Sequence, residues 1–60
     1  MRIWRVKINA RGTRFDERSE HLVRATRAEE AIRKACAEAK KHGTYKRYEA
    51  EEVSLVGDAL

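Results

Sequence analysis

The chain predicts an α+β fold: a three-stranded antiparallel sheet in the order 2-1-3, with one helix packed on one face, in the sequence order ββαβ. Three observations predict it. Residues 1–10, M-R-I-W-R-V-K-I-N-A, alternate apolar and polar side chains, the period of a strand with one buried face. Residues 26–43, T-R-A-E-E-A-I-R-K-A-C-A-E-A-K-K-H-G, carry an alanine stripe at helical spacing between two end signals. Residues 49–57 return to alternation around Val53 and Leu55.

In the first strand Trp4, Val6 and Ile8 point one way, and Ile3, Arg5 and Lys7 the other. Arg11-Gly12 reads as the hairpin turn, with Gly12 supplying a positive φ. The second strand then runs from Arg14 to Ala25. A two-residue loop at Arg11-Gly12 sets Ile8 opposite Phe15 and Val6 opposite Glu17. Phe15, Val23 and Ala25 then share the face of Trp4, Val6 and Ile8. Glu17, Ser19 and His21 share that parity but are polar, so they are expected beyond the helix footprint or at a bulge.

Thr26 and Glu29 form the capping-box pattern T-x-x-E. Ala28, Ala31, Ile32, Ala35 and Ala39 fall on one side of the helix, with Cys36 on its flank. Glu29–Arg33 and Glu30–Lys34 are i,i+4 pairs on the other side. Lys40, Lys41 and His42 lie in the last turn, where positive charge suits the dipole. Gly43 takes the left-handed position that ends the helix. Alanine buries little area but lets a backbone approach closely, so the helix lies flat on the sheet with Ile32 as its one large anchor. Thr44, Tyr45 and Lys46 form the exit loop, and Gly57-Asp58-Ala59-Leu60 a frayed tail. The right-handed crossover rule brings the last strand beside the first.

Sixty residues make one domain, residues 1–60, with a small core. No apolar run approaches the roughly 18 residues of a membrane span, and no signal peptide is visible. A cytoplasmic protein with no membrane partner is expected. One cysteine cannot form an internal disulfide or a thiolate zinc cage, so Cys36 reads as a small packing residue. No phosphate-binding glycine loop, dinucleotide fingerprint or nucleophile motif is present. His21, His42 and the Glu49/Glu51/Glu52 run lack catalytic or metal-ligand context. The chain is therefore expected to be non-enzymatic, with no cofactor.

The formal charge is +4. Residues 1–27 hold eight Lys/Arg against three Asp/Glu, and residues 28–60 hold six against seven. The excess of positive charge in the first half falls on the sheet face that a single helix leaves uncovered. Ile3, Arg5 and Lys7 come from the first strand. Arg14, Arg18, Leu22 and Arg24 come from the second, with Asp16 and Glu20. Three uses compete for this face. It is solvated, with cross-strand pairs such as Lys7–Asp16. It binds another protein or a second copy of itself, with Ile3 and Leu22 as anchors. Or it lies on a phosphate backbone through its arginines. The last is weakened by the lack of exposed aromatic rings on the sheet, since Trp4 and Phe15 are assigned inward and Tyr45 and Tyr48 sit off the central strands.

The segments I-W-R-V-K-I, V-R-A-T-R-A-E-E-A-I-R-K-A and E-E-V-S-L-V-G resemble those of short phage and prophage accessory proteins. Such proteins have a hairpin, a helix opened by T-x-x-E-E-A and a closing strand. The resemblance covers most of the chain and is architectural, so no functional residue is transferred by it. It implies a non-enzymatic protein that modulates a host or phage component. The leading expectation is a small regulatory or inhibitory protein that engages a host protein through its open sheet face. The alternative is a nucleic-acid-binding protein using the basic face.

Overall fold

A computed structural model describes every residue except His42, Thr44, Ala59 and Leu60. The expectations for those four lie outside the described residues. The elements are β1 (Arg2–Arg11), β2 (Asp16–Ala25), α1 (Ala28–Lys41) and β3 (Arg47–Asp58). The sheet is antiparallel with order β2-β1-β3, and α1 packs on one face across all three strands. This is the ββαβ architecture expected from the alternation and the alanine stripe. Gly57 and Asp58 belong to β3 and do not form a tail.

The face assignments hold, but the hairpin turn does not lie where Gly12 signals it. Ile8 faces Ser19 and Val6 faces His21. The Gly12 amide donates to the Phe15 carbonyl at 3.1 Å, which leaves Thr13 and Arg14 as the two-residue turn. The turn is displaced by two residues, so the register shifts by four. Four is even, so every side chain keeps its expected face. Phe15, expected opposite Ile8 and buried, instead lies opposite Gly12. It is thereby carried about 13 Å further along the sheet, past the helix, and is 67% exposed. Ser19 and His21 stay on the helix side and bond each other at 2.8 Å. The β1–β2 ladder has no bulge; the register shifts are in β1–β3, at Ile3/Trp4 and Lys7/Ile8.

The core is small. Val6, Ile8, Ala25, Ala31, Ala35 and Ala39 are buried, and only Val6 and Ile8 among them are large. Each contributes about 2 kcal/mol by burial. Ala31, Ala35 and Ala39 are the helix residues pressed flat on the sheet. Ile32, Cys36, Trp4, Val23, Tyr48 and Val53 pack around them, partly buried. Trp4 leans on this core and donates its indole N–H to the Ala25 carbonyl at 3.0 Å, which satisfies its polar atom. Leu55 sits opposite Trp4, on the side of the sheet that carries the helix, and remains half exposed.

The helix start differs from a capping box. The Ala31 amide bonds the Arg27 carbonyl, so Arg27 is the residue that opens the helix. The Thr26 hydroxyl donates to Glu30 at 3.0 Å, in place of accepting from the Glu29 amide. Glu30 also takes Lys34 at 3.1 Å, while Lys34 donates to the Arg24 carbonyl at 2.6 Å. Lys34 thus ties α1 to β2. The Lys34 ammonium first, and then the Thr26 hydroxyl, hold the Glu30 carboxyl below the usual carboxylate range. The Glu29–Arg33 pair does not form among the described residues.

Neither Gly12 nor Gly43 has a positive φ. Both are needed for space. A Cβ on Gly43 would come within 2.9 Å of the Tyr45 ring, and one on Gly12 within 2.9 Å of the Phe15 carbonyl and 3.3 Å of the same ring. Tyr45 is therefore seated between the two glycines. Its hydroxyl donates to Glu17, which pushes the phenol above its ordinary pKa. Tyr48 meets it edge-on, with ring centroids 6.1 Å apart, and donates to the Gly43 carbonyl at 2.9 Å. These two rings extend the cover of the sheet beyond the end of α1.

Candidate functional site

The uncovered face is built outward from β1. Ile3, Arg5, Lys7, Asn9 and Arg11 alternate onto it. Their partners in β2 are Arg24, Leu22, Glu20, Arg18 and Asp16. On the other side β3 supplies Ser54 opposite Arg5, Glu52 opposite Lys7, Glu49 opposite Asn9 and Arg47 opposite Arg11. A lattice of ion pairs joins the three strands. Arg5 meets Glu20 at 3.6 Å, Lys7 meets Glu52 at 3.2 Å, Arg11 meets Glu49 at 3.3 Å, and Arg18 meets Glu51 at 3.2 Å. Lys7 is thus paired with Glu52 of β3, in place of Asp16.

Three of the four acids come from the run Glu49, Glu51 and Glu52 of β3, and the fourth, Glu20, from β2. The bulge opposite Lys7/Ile8 explains why both Glu51 and Glu52 reach this face. In a regular strand they would point to opposite sides. A bulge leaves no mark in the period-two pattern, so the local charge balance was hidden. Asn9, 5% exposed, stands between Arg18 and Glu49 in the register, and its Oδ1 has no protein hydrogen-bond partner among the described residues.

Of the seven residues singled out from the sequence, six share this face. Arg5, Lys7 and Arg18 are held by carboxylates. Arg24 has no acidic partner among the described residues and lies opposite Ile3. Leu22 is 65% exposed and lies opposite Arg5, diagonal to the half-buried Ile3. Arg14 is not on the face, because it stands in the displaced turn. The result is a surface of mixed charge with an apolar spot at one end.

Set against protein-family models, curated proteins and solved structures, the chain matches none. The arrangement of side chains is therefore the whole basis for function. Among the described residues no three His, Cys, Asp or Glu side chains gather to hold a metal ion, and no helix is long and apolar enough to cross a membrane. Mixed charge around an exposed leucine can recognise a surface of complementary charge pattern and bury the leucine at its centre.

Proposed function

We propose that this is a non-enzymatic binding protein, a regulatory or inhibitory protein of the phage accessory type, that engages a protein partner through the uncovered sheet face. The single observation that carries this is Leu22, exposed beside Ile3 and bordered by the Arg5–Glu20 and Lys7–Glu52 pairs. An apolar anchor inside a polar rim suits a protein interface. Paired charges of both signs suit it as well, since they fix register and exclude wrong partners. The sheet-face nucleic-acid reading loses support, because three of its five cations are neutralised by carboxylates of β2 and β3 and a fourth, Arg14, lies off the face.

The test is capture from a nuclease-treated host lysate with wild type, Leu22→Asp and Arg33→Ala, the last on the solvent side of α1. The expected result is a captured protein that is lost with Leu22→Asp and kept with Arg33→Ala. A captured set indifferent to Leu22→Asp contradicts the proposal. A captured species consisting of this chain itself assigns the face to self-association.

A further inference from the structure

The displaced hairpin turn creates a second candidate site at the opposite end of the sheet from Leu22. Phe15 projects there with most of its side chain in solvent. It borders a groove of about 450 Å³ lined also by Gly12, Arg14, Gly43, Tyr45 and Lys46, within the size range of small-ligand sites. Two loops make it, one between β1 and β2 and one between α1 and β3. The second is tied to the end of β1 by the Lys46 amide donating to the Arg11 carbonyl at 2.9 Å. The Tyr45 ring, seated between Gly12 and Gly43 and bonded to Glu17, forms part of the groove's wall.

The charges here differ from those of the sheet face. Among the described residues Arg14 and Lys46 have no acidic partner, while Arg11 and Arg47 at the groove's edge share Glu49. An exposed aromatic ring, a second ring in the groove and two free cations are the elements that bind single-stranded nucleic acid: bases stack on rings and phosphates meet cations. We propose that this groove binds a single-stranded nucleic acid segment, with a base on Phe15 and backbone phosphates on Arg14 and Lys46. The proposal goes beyond the protein-partner function and rests on different residues. It also relocates the nucleic-acid alternative away from the sheet, where no free ring is available.

The test is fluorescence anisotropy of short labelled oligothymidylate and oligouridylate, at low and at physiological salt. Binding is expected at low salt. Phe15→Ala should weaken it about ten-fold, within the range that stacking one base on a ring supplies, and Phe15→Tyr should restore it. Arg14→Ala and Lys46→Ala should each reduce the slope of log affinity against log salt by about 0.7. Leu22→Asp should leave binding unchanged, which separates this site from the sheet face. Circular dichroism confirms that each variant is folded. No binding at low salt, or equal binding by Phe15→Ala, overturns the proposal. So does association only with anionic lipid vesicles, which would make Phe15 and its cations a membrane contact.

Discussion

Arg18 of β2 reaches over β1 to Glu51 of β3, with its Nε 3.2 Å from the carboxylate. The pair spans the full width of the sheet, beside the nearly inaccessible Asn9, which stands opposite Arg18. It also neutralises an arginine that a two-strand view of this face leaves free.

Because both partners are substantially exposed, the pair contributes little stability. A double-mutant cycle with Arg18→Ala and Glu51→Ala should give a coupling of about 0.2–1 kcal/mol, declining with added salt. A salt-independent coupling well above that range would mean that the pair is desolvated.

The core rests on very few side chains, so its variants should be severe. Ile8→Ala should cost about 2–5 kcal/mol in denaturant unfolding. A domain of this length has a total of about 3–9 kcal/mol to lose. Ala35→Leu, which places a large side chain where α1 lies flat on the sheet, should cost about 1–3 kcal/mol. An Ala35→Leu variant as stable as wild type would mean that α1 stands further from the sheet.

Gly12 and Gly43 make room for Tyr45, so Gly43→Ala should destabilise by about 1–3 kcal/mol through overpacking. Gly43→Ala combined with Tyr45→Ala should cost less than the sum of the two singles, because the clash is removed with the ring. Strict additivity would show that the glycine serves some other need.

The Glu17 carboxylate beside the Tyr45 hydroxyl holds the phenol protonated above its ordinary pKa of about 10. A group raised in the folded state adds stability that is complete below the unfolded value. That stability is lost as pH rises through the folded value. Ultraviolet titration should therefore find a tyrosine ionising above pH 10, and unfolding measurements a loss of stability in the same alkaline range. Glu17→Gln should bring that ionisation down. An unchanged alkaline titration in Glu17→Gln would remove the bond from the account.

The parts of the fold legible in the sequence are those set by periodicity. Trp4, Val6 and Ile8 alternate, and Ala31, Ala35 and Ala39 recur at four-residue steps. These patterns predict which side of each element is buried. The position of the turn was not legible, because Gly12 carries the usual signal of a positive φ. It is in fact a glycine so that Tyr45, a residue from beyond the helix, can lie against it. Phe15 followed the turn and left the core. The charge balance of the uncovered face was hidden for a related reason: it depends on β3 lying beside β1 and on a bulge that turns both Glu51 and Glu52 outward. Long-range contacts decide both points, and local pattern carries neither. Leu22 and Ile3, by contrast, follow from parity alone.

Chemical accessibility at Leu22 separates a free binding face from a covered one. Leu22→Cys on a Cys36→Ala background gives one thiol at that position, and its rate of modification by a maleimide can be followed with and without the captured partner. Rapid modification of the free protein, at any protein concentration, and strong protection in the complex are expected. Slow modification of the free protein, or a rate unchanged by the partner, would contradict the proposed binding face.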